Sequence, residues 1–172
     1  RLFTVGFWPG GDRDGNPFVT SDTTLQVAMH LRARIIRNYF NEIRQIKRRL
    51  TFPGVDDIIQ RVEQRLLANV QNRPEGYSIP DELLSDLLSA RNLLQTKHDG
   101  LFVDLVERMI LKVKVFGFHF AGIEIRQYAN RHSALWKNLV GAGYDDLSDE
   151  QKIQKVLQED KFEFSSEAEI AE

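Results

Sequence analysis

Two arginines, Arg13 and Arg126, are the residues in this chain best suited to chemistry, because each follows an apolar stretch and precedes a helical pattern. Arg13 lies in Gly10-Gly11-Asp12-Arg13-Asp14-Gly15-Asn16-Pro17, which packs three glycines, two aspartates, an arginine, an asparagine and a proline into eight residues. Gly10-Gly11 lets the backbone take positive φ or approach another group closely. Asn16-Pro17 is a turn signal, and Pro17 fixes the exit of the loop. Arg126 closes the run Ile123-Glu124-Ile125-Arg126. An arginine at the end of a buried strand is costly unless it is paired. Its planar guanidinium can hold a phosphate through two parallel hydrogen bonds. Polar, glycine-rich loops at strand ends are where α/β enzymes place their chemistry.

Each candidate also has a purely structural reading. Arg126 could pair with Glu124 or Asp14, and Arg13 could form a salt bridge inside its own loop with Asp12 or Asp14. The two aspartates could orient the arginines or reach a metal through water. Two carboxylates separated by one residue do not make a metal site, so no metal ligand is assigned. Asn16 joins Asp14 as a candidate substrate contact in the same loop. His132 lies six residues beyond Arg126 in a helical pattern and is a candidate site member, although a histidine there ordinarily caps or packs. His119 reads as a strand residue satisfied by backbone, while His30 and His98 carry no signal.

The run resembles the GGDRDGNP segment of phosphoenolpyruvate carboxylases. The flanks Phe7-Trp8 and Phe18-Val19-Thr20 extend the likeness. Phe116-Gly117 and Ile123-Glu124-Ile125-Arg126-Gln127, ending in Arg131-His132, resemble a second motif of that family in the right order. Pro9 stands where the family usually has Met, Glu124 replaces Asp, and Tyr128-Ala129 replaces Glu-Ser. Residues 50–100 match only as helices. The resemblance implies addition of bicarbonate to phosphoenolpyruvate, giving oxaloacetate and phosphate, with Mg²⁺ or Mn²⁺ as cofactor. It implies that Arg126 holds the substrate phosphate, with Arg13 beside it as a second catalytic cation. It also implies a (β/α)₈ barrel in a homo-oligomeric parent several times longer than 172 residues. The chain starts at Arg1 without a Met and reads as an internal piece. Alone, it is expected to be inactive and to bind no metal.

The elements that must position these arginines are mostly helical. Apolar residues Ala28, Leu31, Ile35, Tyr39, Ile43, Ile46 and Leu50 recur at three- and four-residue steps, predicting a helix over about 22–50. A second is predicted over about 55–72, a third from Pro80, a fourth over about 101–114 and a fifth over about 128–141. Ser148-Asp149-Glu150-Gln151 has the capping-box pattern and starts a sixth. His119–Ile125 is almost continuously apolar and reads as a buried strand. Cut from a barrel, two such strands have no sheet to join. The expected fold is therefore mainly α: a bundle-like fragment with one or two short strands. Residues 1–160 are expected to form a single helical domain, with an acidic, frayed tail over 161–172. The loop over residues 9–17 is expected to have nothing packed against it.

Composition excludes several classes. Hydrophobic residues make up 42% and charged residues 28%, as in ordinary globular domains. With no cysteine there is no disulfide framework and no thiolate metal site. No apolar run reaches the ~20 residues of a membrane span. Cytoplasmic location fits these features. The net charge of -2 argues against a nucleic-acid binder, but it is uneven: residues 145–172 carry -7 and the rest +5. Arg32, Arg34, Arg37, Arg44, Lys47, Arg48 and Arg49 have only Glu42 among them. They fall all around the helix, as a solvated or ion-paired surface does. The alternative function is accordingly a non-catalytic helical interaction domain with a basic face.

Overall fold

The structure is a computed structural model that describes residues 5–140, 143 and 146–158. It contains two compact units, one built from residues up to Phe7 with Gln26–Ile123, the other from Trp8–Leu25 with the described residues from Glu124 onward. The elements in chain order are β1 (Gly6–Phe7), α1 (Ser21–Lys47), α2 (Val55–Val70), α3 (Pro80–Lys97), α4 (Val103–Phe116), β2 (Gly122–Ile123), α5 (Ala129–Val140) and α6 (Asp149–Gln158). The chain is thus mainly helical. No helix among the described residues is long and apolar enough to cross a membrane.

In the first unit the helices bury the stripes that periodicity marks. Ile35, Tyr39, Ile43 and Ile46 of α1 join Ile59, Val62 and Leu66 of α2, Leu83, Leu87 and Leu94 of α3, and Val106, Met109 and Val113 of α4 in one core. α3 packs along both α2 and α4. Punctuation between helices is specific. Gly54 enters α2 at φ 82°, and a Cβ there would come within 3.1 Å of Leu93, so both conformation and room call for glycine. Pro80 opens α3 with its fixed φ.

Two buried tyrosine hydroxyls in this core are paired. The Tyr39 hydroxyl donates to the Gly117 carbonyl at 2.9 Å, closing the end of α4 onto α1. Tyr77 donates to Asp86 Oδ2 at 2.7 Å, while the Arg65 guanidinium lies 3.9 Å from its ring centroid. Burial raises both hydroxyl pKa values, helped by the charge of Glu42 at Tyr39 and by the bond to Asp86 at Tyr77, so both remain protonated donors.

The strands are shorter than the apolar run suggests, and they find each other. β1 and β2 pair in parallel, Gly6 with Gly122 and Phe7 with Ile123. The expectation of strands without a sheet is corrected by this pair. The expected buried strand over His119–Ile125 shrinks to two residues for a local reason. Gly117 and Phe120 take positive φ (54° and 67°), and Ala121 N donates to His119 O at 2.8 Å, so the chain turns before extending. His119 lies exposed in this turn.

The second unit holds the loop from Trp8, the first turn of α1, α5 and α6. The capping box at Ser148 forms as predicted: Ser148 N donates to Gln151 Oε1 at 2.9 Å, and Gln151 N donates to Ser148 Oγ at 3.3 Å. The segment 161–172, expected as a frayed tail, lies outside the described residues.

Candidate anion site at the two strand ends

Within the second unit, the loop after β1 and the chain after β2 are joined by backbone. Arg126 N donates to Gly11 O at 2.8 Å, and Arg13 N donates to Arg126 O at 2.9 Å. This is a parallel bridge between Asp12 and Arg126. The turn before it closes with Gly11 N donating to Trp8 O at 3.0 Å, and Gly10 takes φ 83°, which explains the paired glycines. The loop therefore does have a packing partner, contrary to the sequence expectation. It is tied directly to the backbone of the second arginine.

The two guanidinium groups are held differently. Arg126 is exposed and stacks over Trp8, its central carbon 4.4 Å from the ring centroid. Neither Glu124 nor Asp14 forms an ion pair with it among the described residues. Stacking uses the flat face of a guanidinium and leaves its N–H edges unused. Arg126 thus presents a fixed cation with free donors. Arg13 is half-buried, and its Nη2 donates to Thr24 Oγ1 at 3.0 Å. Among the described residues no salt bridge joins Arg13 to Asp12 or Asp14, the structural alternative the sequence left open. The Nε of Arg13 is buried and has no hydrogen-bond partner in the protein.

Asp12 and Asp14 mainly act on each other. The protonated Asp12 carboxyl donates a hydrogen bond to Asp14, which raises the Asp12 pKa, with desolvation and the Asp14 charge adding to the rise and Arg126 opposing it. No group of three His, Cys, Asp or Glu side chains able to hold a metal ion occurs among the described residues. The residues present do not fit Mg²⁺ or Mn²⁺.

Asn16 is engaged in the loop itself: its Oδ1 accepts from Phe18 N at 3.0 Å, and its carbonyl accepts from Val19 N at 3.1 Å. Its amide nitrogen stays available. His132 sits exposed in the first turn of α5, and no hydrogen bond, ion pair or ring contact joins its side chain to either arginine. Two contributors carry no sequence signal of their own. Trp8 is visible there only as a flank of the glycine turn, and Thr24 only as part of a helix start. In the basic run, Arg44 and Lys47 pair with Glu63 at 3.7 and 2.6 Å, and Arg32 lies over Phe118, so part of that charge is used inside the fold.

A family described as phosphoenolpyruvate carboxylase matches residues 1–75 and 55–163. Among curated relatives, the chain is similar to the phosphoenolpyruvate carboxylase of Corynebacterium glutamicum, with 24% identity over 90% of this chain and 22% of the relative. It is 28% identical to that of Nitrosomonas eutropha and 26% identical to that of Gloeobacter violaceus, over the same shares of each chain. The chain thus spans about a fifth of the length of the curated relatives it matches, 22% in each case.

Proposed function

The chain belongs to the phosphoenolpyruvate carboxylase family, and from that membership we propose that it supplies the phosphate-anchoring cations of an enzyme that adds bicarbonate to phosphoenolpyruvate. The observation that carries this reading is the bridge between Asp12 and Arg126, which ties together, within one unit, the two segments that follow the C-terminal ends of β1 and β2 in the chain. Functional groups of α/β enzymes gather at that end.

The chemistry asks for such cations. Attack of bicarbonate oxygen on the substrate phosphorus breaks the bond from phosphorus to the enol oxygen and leaves carboxyphosphate and an enolate. Carboxyl transfer to the enolate carbon then gives oxaloacetate and releases phosphate. Negative charge is present on the phosphoryl group throughout and develops on the enolate. Fixed donors aimed at those oxygens stabilise the transition state without having to reorganise. Arg126, stacked on Trp8 with its N–H edges free, is assigned to the phosphate. Arg13 is assigned to the same group as a second cation, with Asp14 and Asn16 shaping the loop and the Asn16 amide open to substrate. His132 stands as a candidate contact.

The test is Arg126→Ala in the full-length parent. Loss of a charge-stabilising donor costs about 2–4 kcal/mol of transition-state stabilisation. The expected result is a matching fall in kcat/KM for phosphoenolpyruvate with little change in melting temperature, since the side chain is exposed. Activity within a few-fold of wild type would make Arg126 structural.

A further inference from the structure

We propose that Thr24 is a positioning residue that aims the Arg13 guanidinium, an inference that rests on the anion-binding reading above. Apart from the tyrosines, Thr24 is the one buried polar side chain among the described residues, only 9% exposed, and it lies in the first turn of α1. Its hydroxyl has two jobs at once. It accepts from Arg13 Nη2 at 3.0 Å and donates to the Gly10 carbonyl at 2.6 Å. The Thr20 carbonyl, at 3.2 Å, is the longer alternative acceptor. A hydroxyl has a single proton, so donating it to Gly10 leaves the lone pairs for Arg13.

This arrangement links three things that must agree. Gly10 takes φ 83°, and its carbonyl direction is fixed by the Thr24 proton. Arg13 is tied at its backbone to Arg126 O and at its side-chain tip to Thr24. The guanidinium is therefore held at both ends of its side chain, and its Nε hydrogen is left buried without an acceptor. A buried, unpaired N–H on a cation is costly, and an anion that reaches it removes the cost. The site of α1 matters as well. A cation beside a helix N-terminus is disfavoured by the helix dipole, so Arg13 would turn away without a specific acceptor there. Thr24 supplies that acceptor.

The substitutions that separate this from a merely structural role are Thr24→Val and Thr24→Ser, made in the full-length parent. Valine keeps the shape and removes both hydrogen bonds, whereas serine keeps the hydroxyl. Thr24→Val is expected to raise KM for phosphoenolpyruvate about ten- to a hundredfold, the range expected for losing a hydrogen bond to a charged group. Thr24→Ser is expected to restore KM to within a few-fold of wild type. The Arg13 Nε–H resonance of the 172-residue chain gives a readout independent of activity. It should shift and broaden in Thr24→Val and return in Thr24→Ser. Should Arg13→Ala leave KM unchanged, the anion-binding reading of Arg13 fails, and this inference fails with it. Should Arg13→Ala raise KM while Thr24→Val leaves both KM and the Nε–H resonance as in wild type, the anion-binding reading survives and the positioning role is overturned.

Discussion

At the scale of single residues, the site works by giving each charged group one specific neighbour. Arg126 has the face of Trp8, and Arg13 has the hydroxyl of Thr24. Asp12 has Asp14, whose hydrogen bond and charge hold the Asp12 carboxyl above the usual range. An acid with a raised pKa binds more protons folded than unfolded. Its contribution to stability is therefore largest at acid pH and is lost as the pH rises through the raised value. Asp14→Asn removes the neighbouring charge, so the Asp12 titration followed by NMR should move down towards an ordinary aspartate. An unmoved titration would show that another group raises Asp12. The sequence made the candidates legible, since an arginine amid glycines and another after an apolar run are unusual placements. It did not make their neighbours legible. Sequence proximity suggested that Arg13 would pair with Asp12 or Asp14, but the partner found is eleven residues away on a helix. Trp8 and Arg126 are more than a hundred residues apart, and no local pattern announces a contact of that kind.

At the scale of elements, the helices and the presence of two short strands were legible, but the length of the second strand was not. Apolar spacing gave α2, α3 and α4 to within a few residues, because each buries one stripe against neighbours. The strand over His119–Ile125 was overread, because a continuous apolar run cannot show a backbone reversal at Gly117 and Phe120. Connections between helices also depend on close fits that spacing does not reveal. The turn after α2 is held by Asn69, whose side chain donates to Tyr77 O and accepts from Tyr77 N, both at 2.8 Å. Gly76 lies against that amide, and a Cβ there would come within 2.5 Å of Asn69 Nδ2 and 3.0 Å of the Asn69 backbone nitrogen. Gly76→Ala should therefore destabilise the chain by about 1–3 kcal/mol, the range of an overpacked buried site. Urea denaturation would measure it. An unchanged midpoint would show that the Asn69 clamp gives way freely.

At the scale of the whole molecule, two arginines follow the two strands in the chain and are bridged through their backbones, and the described residues include no cluster of three or more potential metal ligands. The relatives it matches are much longer, and the chain spans 22% of them. We therefore predict that the 172-residue chain by itself forms no oxaloacetate from phosphoenolpyruvate and bicarbonate, and a coupled assay for oxaloacetate checks this. Turnover by the chain alone would mean that the general base lies within it. The family was legible from two short motifs, whereas the pairing of β1 with β2 was not, because parallel pairing joins segments that share no local signal. The central claim is that the end of this strand pair anchors the phosphate of phosphoenolpyruvate through Arg126. The most direct measurement is a crystal structure of the full-length parent with a phosphoenolpyruvate analogue bound. Phosphate oxygens are expected within about 3 Å of the Arg126 guanidinium nitrogens, with Trp8 still stacked against the guanidinium. A phosphate bound elsewhere, with Arg126 turned to a carboxylate of the protein, would contradict the claim.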